Sequence, residues 1–441
     1  MIGYDVIVIG AGVAGLTAAV GLAKAGLSVL ILEARERIGG RILTLRSSGS
    51  GFPIELGAEF IHGLAPQLWK PLVESRAEIS EVKGDAWCWD ARLLPCDFGS
   101  DVDRVLDRMR DSGPDRSFAE FLRSCCQDAM IDERAKRHAL NYVVGFNAAD
   151  PEQVGVHWLA KGMREEQQIR GDRAFRLKNG YADLLQALQR ELTALPIEVI
   201  TTIAATGIKW GAGGVTVSTN GTGNTATYVG KKAVVTVPLS VLKTSAGQEG
   251  AIGFDPPLPE EKLRAIEKLD MGKVVRVVLR FRRRFWDDIR PTGGRGRTLS
   301  KMSFLFTADE WFPTWWTTMP HREPQITAWA PFQCAERLSD RGSSFVTERA
   351  LESLSRILEV SQSELEILLE GSFFYDWQTD PFSRGAYSYG KVGADGAQQV
   401  LAKSLAETLY FAGEATASPG SNGTVHGAIA SGERVSIEIL G

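Results

Sequence analysis

Cysteine is scarce in this chain of 441 residues. There are five, Cys88, Cys96, Cys125, Cys126 and Cys334, an odd number with no C-x-x-C spacing. That pattern argues against a disulfide framework and against zinc, so no metal is expected. Histidine is equally rare, and His138, His157 and His321 stand at no spacing that suits a shared ligand. Charge of one sign is missing too: 50 Lys and Arg against 54 Asp and Glu leave a net −4, without an electrostatic footprint for nucleic acid. No apolar run reaches the ~20 residues of a membrane span. The start, Met1-Ile2-Gly3-Tyr4, carries neither a basic n-region nor a small-residue cleavage site. The expectation is a protein of the reducing cytoplasm that meets small molecules rather than membranes or nucleic acid.

Glycine, by contrast, is abundant: 46 residues, roughly one in ten against a usual ~7%, and concentrated toward the two ends. Near the first end, Asp5-Val6-Ile7-Val8-Ile9 reads as a buried parallel strand. Gly10-Ala11-Gly12-Val13-Ala14-Gly15 follows at once, then a helical stretch from Leu16 to Lys24, a break at Gly26 and a second strand from Ser28 to Leu32 that ends at Glu33. A G-x-G-x-x-G between strand and helix, with an acid about 20 positions on, predicts a dinucleotide site. Gly10 permits the turn, Gly12 the approach of pyrophosphate, Gly15 close helix–strand packing, and Glu33 would bind ribose hydroxyls. NAD and FAD both fit so far. Gly39-Gly40 flanked by Arg37 and Arg41 offers a second approach to phosphate, with Arg41 as a charge-assisted donor, and favours FAD.

At the other end, Leu409-Tyr410-Phe411-Ala412 reads as a strand, Gly413-Glu414 as a turn, and Thr424 to Ile439 as a helix after Gly420-Ser421-Asn422-Gly423. A helix N-terminus there would suit a flavin carbonyl. In between, Pro259-Glu260-Glu261-Lys262 opens a helix with an apolar stripe at Leu263, Ile266 and Leu269. In the strand Lys273 to Phe281, period-two alternation places Lys273 with Val275, Val277, Leu279 and Phe281. Lys273 then either snorkels to water or has a chemical role. Ile208 with Val215-Thr216-Val217 reads as a hairpin. Val102, Val105, Leu106 and Met109 keep helical spacing, Tyr387 and Tyr389 share a strand face, and the arginines from Arg280 to Arg284 read as a solvated face.

These segments are collinear with the flavin-containing amine oxidases, the family of monoamine oxidases, polyamine oxidases and histone demethylases, which the sequence resembles over nearly its whole length. The shared motifs are Glu33-Ala34-Arg35 to Gly40-Arg41, Leu56 to Gly63, Val235 to Leu239, Phe254 to Pro259, Met271 to Val274, Tyr410 to Glu414 and Asn422 to Ala428. The resemblance implies an α/β fold in which a Rossmann-like FAD-binding domain (1–75, 174–254 and 391–441) is interleaved with a mixed-sheet-plus-helices substrate domain (76–173 and 255–390). It implies an FAD site of Gly10, Gly12, Gly15, Glu33, Arg35, Gly40, Arg41, Gly57, Ala58, Ala205, Gly413, Glu414, Thr424 and Val425. Ala386 stands where some members carry a flavin-linking cysteine, so FAD should be noncovalent.

For the chemistry, the resemblance implies Lys273, Tyr387, His62 and Thr424. Lys273 would reach flavin N5 through water, while Tyr387 and Thr424 flank the reacting edge. Threonine at 424, where monoamine oxidases have a second tyrosine, matches the demethylase branch and implies a wider pocket. His62 resembles the tunnel histidine of animal polyamine oxidases and could hold or deprotonate an amine. Read without the family, Tyr387 could be core and His62 a backbone-bonded histidine. Trp311, Trp315, Trp316 and Trp329 pack the substrate domain or line its tunnel. The reading is an FAD-dependent amine oxidase acting on a polyamine or another amine with O2 as acceptor. The alternatives are an L-amino acid oxidase, a flavin-dependent desaturase of an apolar substrate, and a non-enzymatic FAD-stabilised module.

Overall fold

The β-branched run near the start lies inside the strand Tyr4–Ile9, whose last four residues are buried. It pairs in parallel with Val29–Leu32 on one side and with Thr225–Val235 on the other. Ile197–Ile200 extends the parallel set beyond Val29–Leu32, and Leu409–Phe411 joins the end of Thr225–Val235. Ile203–Gly211 and Gly214–Gly221 form the expected hairpin, and Gly253–Asp255 pairs along Ile203–Gly211. One eight-stranded sheet thus gathers strands from the start, middle and end of the chain. This is a mixed α/β architecture, observed in a computed structural model that describes residues 3–46, 51–125, 131–221, 225–294, 296–418 and 420–441. Cys126 lies outside them.

The helix Val13–Lys24 packs along the helix Val425–Leu440. Small residues set the spacing, since a Cβ on Gly432 would meet the Ala14 carbonyl oxygen at 2.4 Å. A second, seven-stranded sheet runs Leu369–Phe374, Val274–Phe281, Gln325–Pro331, Thr314–Thr317, Met302–Thr307, Asp85–Trp89, Leu93–Pro95. Its far face is closed by helices such as Ser343–Leu358 around Trp286, Trp315 and Phe281. Four helices, Phe98–Leu106, Phe118–Ser124, Glu133–Phe146 and Val156–Gln168, build a separate apolar cluster on Phe118, Val105 and Val143. Among the described residues no helix is long and apolar enough to cross a membrane.

Several expectations are corrected. Cys88 and Cys96 form a disulfide across the hairpin of Asp85–Trp89 and Leu93–Pro95, their Cα atoms 5.6 Å apart. Spacing along the chain misses such a pair because hairpin register, not proximity in sequence, brings the thiols together. Of the expected stripe in and beyond the helix Glu260–Lys268, Ile266 and Leu269 are buried, but Leu263 is exposed and Lys262 is buried instead. The Lys262 ammonium donates to the carbonyls of Val400, Leu401 and Lys403 and lies 3.9 Å from the Phe411 ring centroid. Burial nonetheless pulls its pKa down to about 7. The two tyrosines meet different surroundings: Tyr389 joins the four-helix cluster, while Tyr387 lines the cavity. The arginine run is only partly a solvated face: Arg282 is exposed, but Arg280 is buried and the Arg284 side chain is mostly covered while pairing with Asp287.

Candidate active site

A single cavity of about 580 Å³ runs from the carboxyl ends of the parallel strands to the second sheet and the helical cluster. At its first end stand Gly10, Glu33, Thr236 and Gly413, each just beyond a strand of the eight-stranded sheet. This is where parallel α/β sheets take their ligands. Gly10 adopts φ +106°, and a Cβ on Gly15 would fall 2.0 Å from the Gly10 carbonyl oxygen, so both glycines are sterically required. Gly15 itself does not line the cavity; it sets the packing beneath it. At Gly12 a Cβ would meet nothing within 4 Å, which leaves room for a ligand against the backbone. The helix Val13–Lys24 begins there with no side-chain cap. Its free N–H groups and positive end suit phosphate.

Glu33 is buried, accepting the Ala11 N–H at 2.7 Å and the Arg35 N–H at 2.9 Å. It therefore braces the glycine turn as well as facing the cavity. Arg35 pairs with Asp380 at 2.8 Å. Arg41 donates to the Ala386 carbonyl at 2.7 Å and to Glu414 at 2.9 Å. The other Glu414 oxygen takes the Ser388 hydroxyl at 2.6 Å and the Gly423 N–H at 2.8 Å. One buried carboxylate thus ties four segments together. Gly40, Gly57, Ala58, Ala205, Thr424 and Val425 all line the same cavity. The residues present fit a dinucleotide-length flavin cofactor: an open glycine turn, an uncapped helix start and a continuous channel beyond them.

At the other end the walls are aromatic. Tyr387 donates its hydroxyl to the Phe146 carbonyl at 2.6 Å and packs against Gly423, next to Thr424. Thr424 caps the final helix, accepting the Gly427 N–H at 3.0 Å and donating to Ser421 at 2.6 Å. Its hydroxyl is therefore committed to the helix start. His62 meets Phe146 edge-on at 5.1 Å and has no hydrogen-bond partner among the described residues. Burial, with His426 nearby, pulls its pKa down to about 4, and burial does the same to His426. Both imidazoles are therefore neutral near pH 7, weak bases that can accept or donate a hydrogen bond without holding a second proton. Trp316 and Trp329 line this compartment, whereas Trp315 is core and Trp311 packs on that core.

Lys273 does not reach the cavity. It precedes the strand Val274–Phe281, is half exposed, and pairs with Glu336 at 2.6 Å. Val275, Val277, Leu279 and Phe281 face the second sheet's core, while Val274 and Arg276 line the cavity. The alternation was sound, but the cavity lies on the other face. Arg276 is buried, donating to the Gly57 carbonyl at 2.6 Å and pairing with Glu59. Glu59 also pairs with Arg176 and accepts from the Trp316 indole at 3.1 Å. Burial lowers the Arg276 pKa to about 10, with Glu55 opposing. Arg276, Glu59, His426 and Glu166 are cavity residues that sequence reasoning missed. Two cations, Arg276 and Arg280, inside a strand of otherwise apolar residues were the available signal.

The sequence pattern of the flavin containing amine oxidoreductases matches residues 13–440. Polyamine oxidase 2 of Arabidopsis thaliana is 29% identical over 97% of this chain and 86% of its own. Lysine-specific histone demethylase 1 homolog 2 of Oryza sativa subsp. japonica is 29% identical over 99% of this chain, which spans only 57% of that longer protein. Among solved structures, putrescine oxidase bound to putrescine superposes with a TM-score of 0.81 at 21% identity, covering 100% of this chain and 99% of its own. Cyclohexylamine oxidase from Brevibacterium oxydans gives 0.78 at 19% identity, covering 99% of each.

Proposed function

The chain belongs to the flavin-containing amine oxidoreductases, and from that premise we propose that it is an FAD-dependent oxidase of polyamines or other primary and secondary amines. Bound FAD would supply a two-electron oxidant that accepts hydride from the amine α-carbon, so that the amine would leave as an imine for hydrolysis and O2 would be reduced to H2O2. Gly10, Gly12 and the start of the helix Val13–Lys24 would hold the pyrophosphate, Glu33 the ribose, and Arg41, Glu414 and Val425 the remainder. The two-part plan follows the same logic, with 1–75, 174–254 and 391–441 holding FAD and 76–173 and 255–390 enclosing the amine. No cysteine stands among the described lining residues, which supports noncovalent FAD.

The observation that carries the reading is the joining, in one cavity, of a dinucleotide-type glycine turn to an aromatic compartment with a neutral histidine. An amine must be neutral to release hydride. His62, unpaired among the described residues and neutral, would orient the neutral amine through a hydrogen bond, while the ammonium proton leaves to solvent. Tyr387, Trp316 and Phe146 would hold the alkyl chain and keep water from the reacting carbon. An amino acid would need a cation for its carboxylate. The three arginines among the described lining residues, Arg35, Arg41 and Arg276, are each engaged by a protein carboxylate. That favours an amine without a carboxylate.

The test is anaerobic mixing of the purified holoprotein with polyamines, aromatic monoamines and L-amino acids while flavin bleaching is followed near 450 nm. Bleaching by amines is the expected result. Bleaching by amino acids alone would overturn the substrate class, and no bleaching by any of them would overturn the oxidase.

A further inference from the structure

A disulfide that only staples a hairpin needs no base beside it, and the Cys88–Cys96 pair has one. The Cys88 Sγ lies 4.0 Å from His138 Nε2, and the other ring nitrogen, Nδ1, stands 2.9 Å from the Asp101 carboxylate. Sulfur, imidazole and carboxylate come from three elements, the strand Asp85–Trp89 and the helices Glu133–Phe146 and Phe98–Leu106. Asp101 is buried and also pairs with Arg104 and Arg134, which fix its orientation. The Phe98 ring lies against the imidazole, with centroids 4.9 Å apart. The imidazole is thereby held from two sides.

With Nδ1 facing a carboxylate, the ring proton belongs on Nδ1 and the Nε2 lone pair faces sulfur. Burial pulls the His138 pKa down; Asp101 opposes this, while Arg134 and Arg137, the latter paired with Asp90, add to it. The imidazole is therefore neutral beside the disulfide. Once the disulfide is reduced, the same lone pair can take the Cys88 thiol proton, and Asp101 then stabilises an imidazolium beside a thiolate. Cys96 is placed differently: it directly precedes Asp97, the N-cap of Phe98–Leu106. Cys334 shows what a thiol does without such help, since burial pushes its pKa up to about 11. The hairpin lies at the edge of the seven-stranded sheet and both its cysteines are half-buried, so a small reagent can reach the sulfurs.

We propose that Cys88 and Cys96 are a redox-active thiol–disulfide site, with Cys88 the nucleophile, His138 its base, and small disulfides and dithiols the substrates. In the oxidising direction the Cys88 thiolate attacks one sulfur of a small disulfide, whose S–S bond breaks as a mixed disulfide forms and one thiolate is displaced. Cys96 then attacks the Cys88 sulfur, closing the protein disulfide and displacing the second thiolate. Two electrons pass from the protein to the small disulfide. The protons of Cys88, carried on His138, and of Cys96 end on the two released thiols. A dithiol drives the same steps in reverse. This site stands apart from the flavin cavity and does not rest on the amine oxidase reading.

The experiment uses the holoprotein with dithiothreitol in its reduced and oxidised forms. Alkylation followed by trypsin and mass spectrometry reads each cysteine separately, because Arg92 lies between the two. Millimolar reduced dithiothreitol should open the Cys88–Cys96 bond in the folded, flavin-loaded protein. In the reduced protein near pH 7, iodoacetamide should modify Cys88 at least about tenfold faster than Cys96 or Cys334, and the Cys88 rate should hold as pH falls well below the ordinary thiol value of about 8.5. His138→Gln should bring the Cys88 rate within about threefold of Cys96 and slow reoxidation by oxidised dithiothreitol about tenfold. Flavin content per chain checks that this variant is folded; if it is not, the wild-type pH profile decides. A disulfide that opens only on unfolding, equal alkylation of Cys88 and Cys96 in the wild type, a Cys88 rate that falls away below the ordinary thiol range, or a Cys88 rate untouched in a folded His138→Gln would each overturn the proposal.

Discussion

The two ends of the cavity are built in opposite ways. At the dinucleotide end the working atoms are mainly backbone groups, held by a turn in which Gly10 and Gly15 allow no side chain and Gly12 leaves open space. At the amine end they are side chains from segments far apart in sequence: His62, Tyr142, Glu166, Arg276, Tyr387 and His426. A backbone site is intolerant of added atoms, whereas a side-chain site tolerates substitution in structure and changes in chemistry. The first should fail as a whole and the second by degrees.

The sharpest way to break that contrast is Gly15→Val. With the Gly10 carbonyl 2.0 Å from the new Cβ, flavin retention should drop by about two orders of magnitude or more, read as absorbance near 450 nm per chain. A yellow variant of normal stoichiometry would refute the backbone account. Arg276→Met comes next, because it strips Glu59 of one of two buried partners. A loss of about 3–5 kcal/mol in denaturant unfolding is expected. Tyr387→Ala should keep flavin but slow its reduction by amine about tenfold to a hundredfold, through lost positioning.

His62→Asn tests a smaller effect. Its folded pKa of about 4 lies below the unfolded value near 6.5, so the unfolded chain binds more protons in that window and stability falls as pH drops through it. Removing the imidazole should lower the slope of unfolding free energy against pH by about 1.4 kcal/mol per unit between about pH 4 and 6.5. Glu55 and Glu166, each raised to about 7, act in the opposite sense and are unchanged by this substitution. Lys273→Met is the smallest change, shifting stability by no more than about 1 kcal/mol as expected of an exposed ion pair. It should also leave flavin reduction within about twofold; a large kinetic effect would return Lys273 to the site.

The same contrast explains what could be read from the sequence. The motif Gly10 to Gly15 with Glu33 was legible because strand, turn, helix and acid lie within about 30 consecutive positions and each has one steric meaning. Tyr387, His62 and Thr424 were reached through resemblance and do come to one cavity. Lys273 failed because alternation sorts a strand into two faces without saying which one meets the cavity; both faces of Val274–Phe281 are buried, so hydrophobicity could not decide. Glu166 was hidden for a different reason: a glutamate in an amphipathic helix carries no mark of facing a void. The burial of Lys262 was not legible because its partners are three carbonyls more than 130 positions away.

The pairing of the helices Val13–Lys24 and Val425–Leu440 has a consequence for how the molecule is made. A ribosome delivers the glycine turn some four hundred residues before the Thr424 cap. Until the last helix is free of the exit tunnel and docked, the nascent chain has half a pocket and an apolar helix face with nothing against it. Capture of a flavin would then wait for that docking, and a bound flavin would act as a clasp between two segments synthesised some four hundred residues apart.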